Sequence, residues 1–185
     1  MPDSTITNCH PLHSVCILLN GVSDHLNRRE FMSPVLTKDL LPDNVRIVYK
    51  SAVEDKTRED ALPIVAYRVN QIQLRPYYAA YSFGAQEGNT TAEMAGSISF
   101  EVSTTNEALT SELALEIGSY CMSMHKEMQN YDMFIQDVNI GAVERDKANY
   151  FIATVQLNAG LGKPTWNASK NESILREIGM RISFH

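Results

Sequence analysis

Apolar residues recur along the start of the chain at helical spacing. Within HPLHSVCILLNGVSDHLNRREF, Leu12, Val15, Cys16, Leu19, Val22 and Leu26 fall on one stripe, as in an amphipathic helix that turns one face to a core. Gly21 weakens that helix. The period then changes to two. NVRIVYKSAV reads as a strand, and LPIVAYRVNQIQL alternates Val65, Tyr67 and Val69 before the phase slips and resumes at Ile72 and Leu74, which predicts a bulge or bend. Residues 75–96 carry no clear period and are expected to form a long loop. GSISFEVS alternates Ile98, Phe100 and Val102 as a strand, and Thr104 with Glu107 has the spacing of a capping box. It opens the strongest helix, from about Asn106 to Met128, with Leu109, Leu113, Ile117, Tyr120, Cys121, Met124 and Met128 on its buried stripe. MFIQDVNIGA places Phe134, Val138, Ile140 and Ala142 on one face of a strand. ERDKAN is a polar turn, YFIATVQL returns, and SILREIGMRISFH alternates Ile178, Met180, Ile182 and Phe184.

The order helix, two strands, long loop, strand, helix, three strands predicts an α+β fold. Short turns between neighbours imply a mostly antiparallel sheet with the two amphipathic helices packed on it. The 185 residues and 44% hydrophobic content fit one domain over 1–185, with 75–96 as an extended interaction loop. The longest apolar run, SVCILLNGV, is broken by Asn20 and Gly21, so no membrane span is expected. The opening MPDSTITNC lacks the basic start and apolar centre of a secretory signal, which points to synthesis in a cytoplasm. Cys9, Cys16 and Cys121 are odd in number and scattered, as reduced thiols are.

Charge is placed unevenly. No Lys or Arg lies between Arg75 and Lys126, while Glu87, Glu93, Glu101, Glu107, Glu112 and Glu116 do. Nucleic-acid binding needs clustered cations to displace counterions from phosphates, so stable DNA or RNA binding is not expected.

Motifs that would carry chemistry fail on spacing. NAGLGKPTW has the look of a phosphate loop, but Leu157 stands where the first glycine belongs and Pro164 where a magnesium-binding hydroxyl belongs. CHPLHSVC gathers Cys9, His10, His13 and Cys16, yet Cys16 sits on the apolar stripe and the four do not converge at zinc-site spacing. His125 is read as a partner of the helix C-terminal dipole. No nucleophile elbow, metalloprotease pair or dinucleotide fingerprint is found. Asn89, Asn167 and Asn171 are glycosylation acceptors only in a secreted chain. The expectation is a non-enzyme with no cofactor and no metal.

Two irregular segments remain. RPYYAAYSFGAQEGNTTAEMAG concentrates Tyr77, Tyr78, Tyr81 and Phe83, side chains that fold back on a core or anchor a partner. NAGLGKPTW joins two strands and carries Trp166, expected to cap the sheet or a partner.

This order, with GSISFEVSTTNEA running from strand into long helix and a hairpin and final strand after it, resembles the tail-terminator proteins of long-tailed bacteriophages. The resemblance is one of architecture across most of the chain. It implies a homo-oligomeric ring, usually a hexamer, that ends the tail tube, joins it to neck or connector proteins and lets DNA pass without specific binding. It also implies a virion protein assembled in the bacterial cytoplasm, with arms between subunits supplied by Tyr77 to Phe83 and by residues 1–9. The loop at 75–96 is longer than a minimal terminator needs, which keeps other neck or head-completion proteins, and a cytoplasmic adaptor, as alternatives. In a ring, several of the six glutamates are expected at the lumen or its rim, where repulsion leaves DNA no sticking point; Glu112 and Glu116 suit an outer helix face better.

Overall fold

The computed structural model describes residues 13–41, 45–50, 62–76, 89–146, 149–161 and 165–167. Helix α1 spans His13–Arg28 and buries Ser14, Val15, Leu18, Val22 and Leu26. The expected helix is present, but its buried line lies to one side of the expected one: Cys16 is exposed, Leu18 is fully buried, and Leu19 only flanks the core. His25 and Arg28 occupy the last turn, where cations suit the dipole, and Arg29 with φ 59° ends the helix in the left-handed conformation.

Strand β1 (Arg46–Tyr49) pairs in parallel with β2 (Ile64–Pro76), and β2 pairs antiparallel with β3 (Asn89–Thr104). The parallel pair departs from the expected neighbour-to-neighbour antiparallel order. Register shifts between Val69 and Gln71, where the alternation slipped in the sequence. The predicted loop at 75–96 is narrower than expected, since 75–76 and 89–96 are strand; residues 77–88 lie outside the described residues. The aperiodic sequence hid these strand ends because NTTAEMAG lacks alternating large apolar side chains, while pairing with neighbours supplies the order.

Helix α2 covers Glu107–Ser123. Its N-cap is Asn106, whose Oδ1 accepts from the N–H groups of Ala108 and Leu109, so the expected Thr104–Glu107 box does not form. Thr104 Oγ1 instead accepts from Asn106 N–H and shares a hydrogen bond with Thr110 Oγ1. The predicted single helix is two: α2 stops at Met124, and the short α3 (His125–Gln129) follows. His125 therefore begins the short α3 and directly follows Met124, the C-cap of α2.

Strands β4 (Phe134–Ile140), β5 (Glu144–Arg145), β6 (Phe151–Gly160) and β7 (Thr165–Asn167) complete the described elements. The sheet order is β1-β2-β3-β6-β4, with β5 on β6 and β7 on the far end of β3. A second register shift between Ile135 and Asp137 reverses the phase of β4. As a result Ile135 is buried and Phe134 is 49% exposed, against the predicted shared face of Phe134, Val138 and Ile140; Ala142 is exposed.

One apolar cluster joins the two long helices and one face of the sheet, with Phe100, Ile98, Leu113, Ile117, Leu157, Leu18 and Met133 fully buried within it. Each such side chain contributes about 1.5–3 kcal/mol of transfer free energy. Two glycines set how close the layers come. A Cβ at Gly118 would stand 2.9 Å from Ile140 Cδ1, and one at Gly21 would stand 2.9 Å from Tyr120 Oη, so α2 sits close to β4 at one point and close to α1 at the other. Along β3 the opposite face is polar, because Ser97, Ser99 and Glu101 alternate with the buried Ile98, Phe100 and Val102, while Ile64 and Ala66 of β2, opposite Ser103 and Glu101 on that same face, are buried.

Candidate functional site

Two surface features are built by interactions that the bare pattern of the chain does not contain. The first is the segment after α1. Glu116 on α2 is buried, and its carboxylate accepts from His25 Nε2 at 2.7 Å, from Met32 N–H at 2.8 Å and from Ser33 N–H at 2.9 Å. Ser33 Oγ donates to Glu112 Oε2 at 2.7 Å, and Arg29 Nη1 donates to the carbonyl of Lys38. His25 in turn stacks on Tyr120 with ring centroids 4.3 Å apart, and burial, with Glu127 second, raises the phenol's pKa. This clasp fixes a loop that turns Leu36 and Leu41 inward while Met32, Val35 and Leu40 are each about half exposed. A buried charge is costly unless fully paired, and here its lone pairs are used to hold one loop conformation.

The second feature is an arm. β6 pairs with β3 only as far as Ala95, but β2 and β3 remain paired through Leu74–Met94 and Arg75–Glu93 to Pro76–Ala92, and β7 runs beside Asn89–Thr91. Past the β2 bulge, Ile72 and Leu74 lie opposite Gly96 and Met94, on the side that carries the helices, and they are 44% and 57% exposed. Large apolar side chains in that position are available to a partner.

The sequence-predicted interaction residues relate to this arm only in part. Tyr77, Tyr78, Tyr81 and Phe83 lie outside the described residues. Trp166 is in β7, its backbone opposite Thr90. The six glutamates do not form one wall: Glu116 is the buried clasp, Glu112 bonds Ser33, and Glu101 pairs with Lys50, while Glu87 lies outside the described residues. The proposal that Glu116 faces a lumen is thereby corrected, as is its reading as a solvated outer face. Its signal was present in the sequence, since Glu116 follows Leu109 by seven residues and Leu113 by three, within the buried arc of the helix.

Among the described residues no group of three or more His, Cys, Asp or Glu side chains is placed to hold a metal ion. Cys9 and His10 of the N-terminal cluster lie outside them. No described helix is long and apolar enough to cross a membrane. The two described cysteines differ sharply: Cys16 is exposed, and burial pushes the Cys121 thiol up to about 12. At pH 8 a thiol with that pKa is thiolate in roughly one molecule in 10⁴. In a Cys9→Ser background, a disulfide reagent is therefore expected to label one thiol at once and the second only when the protein unfolds. The raised value also predicts a loss of stability above pH 9: there the unfolded thiol ionises and the buried one does not, so the unfolded state binds fewer protons. A pH series of denaturant melts from 8 to 11 checks it, with Cys121→Ala giving the shallower decline.

No protein-family model matches the chain, and a comparison with curated proteins finds no similar one.

Proposed function

We propose that this chain is a structural subunit that associates with copies of itself through the β2–β3 arm, and that the assembly is the ring ending the tail tube of a long-tailed bacteriophage. The arm is the observation that carries the reading. A hairpin whose strands stay paired beyond the end of β6, with Ile72 just before that extension and Leu74 on it, both about half exposed on one side, is suited to lie against a neighbouring subunit. The residues joining its strands include Tyr77, Tyr78, Tyr81 and Phe83, a composition typical of interface anchors. In this reading the ring belongs to the virion, meets tube and neck proteins on its two sides, and passes DNA through its hole.

The test is mass and shape. Sedimentation and negative-stain microscopy of the purified chain are expected to find a closed ring, six-membered by the architectural resemblance. Replacing both Ile72 and Leu74 by Asp is expected to weaken self-association roughly a hundredfold, since two lost anchors at above ~1.4 kcal/mol each multiply. The circular dichroism spectrum should not change. A monomeric parent protein at micromolar concentration overturns the proposal.

A further inference from the structure

The sheet face turned away from the helices holds an open groove of about 250 Å³. Its floor is made of small residues, Ala95 and Ser97 of β3, and its walls carry Gln71, Gln73 and Arg75 from β2 and Gln136 and Asp137 from β4, with Gln156 and Asn158 of β6 between. The register explains the convergence. Gln71, Ser97, Asn158 and Asp137 are consecutive partners across four strands, and the bulges of β2 and β4 both fall beside this row. A bulge bends and twists its strand, so two of them flanking one row make that part of the face concave.

The polar groups are held in position. Asp137 Oδ1 accepts from Asn139 Nδ2 at 2.7 Å and from Asn158 Nδ2 at 2.8 Å. Because a carboxylate oxygen accepts only, these contacts fix the orientation of both amides, and of the two it is Asn158 that lines the groove, its carbonyl oxygen left as an acceptor. Arg75 Nη2 donates to Gln73 Oε1 at 2.9 Å, which leaves the Gln73 amide N–H groups as donors. One row along, Phe134 pairs with Gly160, and a Cβ placed on Gly160 would lie 3.7 Å from Phe134 Cβ. The half-exposed phenyl ring therefore stands on the same sheet face as the groove, next to its lining residues rather than among them, beside a position with no side chain.

We propose that this groove binds a neutral saccharide. Hydroxyl groups donate and accept together, and the lining matches them with a carboxylate, several amides and a guanidinium set side by side. Its formal charge cancels between Arg75 and Asp137, which favours a neutral ligand over an anion such as a phosphate. The phenyl ring supplies a flat apolar surface for the C–H face of a sugar ring. The volume is below the range of about 300–1,000 Å³ typical of drug-sized ligands, which suits a mono- or disaccharide unit held in an open groove. The proposal is independent of the ring assembly: this one is read by ligand binding and that one by mass, and either can fail alone.

The experiment is saturation-transfer NMR on the full chain with a panel of neutral di- and trisaccharides built from glucose, galactose, mannose and N-acetylglucosamine, followed by titration of any that respond. Millimolar binding of at least one is expected. Asp137→Ala, which removes an acceptor and frees both amides, should weaken it at least tenfold, and Phe134→Ala severalfold. Arg68→Ala, on the same sheet but outside the groove lining, should leave it unchanged. Absence of transfer from every sugar in the panel overturns the proposal, and so does binding that Asp137→Ala leaves intact in a folded protein.

Discussion

Replacing Glu116 by Ala is expected to lower the unfolding free energy by roughly 3–5 kcal/mol, the cost of removing one partner from a buried charged network. Three donors, His25 Nε2 and the backbone N–H groups of Met32 and Ser33, converge on this carboxylate, and Glu116 is 1% exposed. Truncation leaves those donors without their acceptor and opens a gap between α1, α2 and the loop. Glu116→Gln should cost less, about 1–3 kcal/mol. Its amide keeps the shape and one acceptor, but its N–H₂ then meets a donor. Denaturant melts give both values. Limited proteolysis should separate them further, because the alanine variant releases the loop that carries Met32, Val35 and Leu40, and local opening exposes backbone to cleavage before the core unfolds. Glu107→Gln, at the exposed start of α2, is the control, with a change within about 0.5 kcal/mol. A Glu116→Ala variant as stable as that control would show that the clasp contributes nothing.

The clasp shows what a sequence carries and what it hides. Alternation placed Ile98, Phe100 and Val102 inside, and helical spacing placed Leu113, Ile117 and Cys121 inside, because each follows from the geometry of its own element. The slip after Val69 was legible as a bulge for the same reason. The bulge in β4 was not: Phe134, Val138 and Ile140 keep an even spacing, so the inserted Gln136 leaves no visible break, and the phase read from Val138 put Phe134 on the wrong face. The parallel β1–β2 pair and the strand ends at 75–76 and 89–96 depend on partners distant in the chain, to which local pattern is blind. Glu116 was assigned to solvent by residue type, although its helical position lay within the buried arc. The polar groove combines both failures. Its residues read as the wet side of four strands, and only the register that lines up Gln71, Ser97, Asn158 and Asp137 gives them a common address.

Leu113→Ala and Ile117→Ala are each expected to cost roughly 2–5 kcal/mol, the range for truncating a buried aliphatic side chain in a core that collapses only partly. Both are fully buried on the face of α2 that lies over the sheet, with Ala114 and Gly118 beside them. Those small neighbours bring helix and strands close together, and Ile140 Cδ1 already fills the space above Gly118. Little is therefore left to move into a new cavity, which places both variants in the upper half of the range. The two residues are one helical turn apart and share neighbours, so the double variant should depart from the sum of the singles. Leu115 lies between them in sequence but is 45% exposed, and Leu115→Ala should stay within about 0.5 kcal/mol of the parent. The contrast tests the orientation of α2 and not merely the stability of the fold. If Leu115→Ala proves as costly as Ile117→Ala in denaturant melts of the Ile72→Asp/Leu74→Asp protein, the helix does not present the face described. If the cost at Leu115 appears in the parent protein and vanishes in that variant, the outer face of α2 is itself buried between subunits of the proposed assembly.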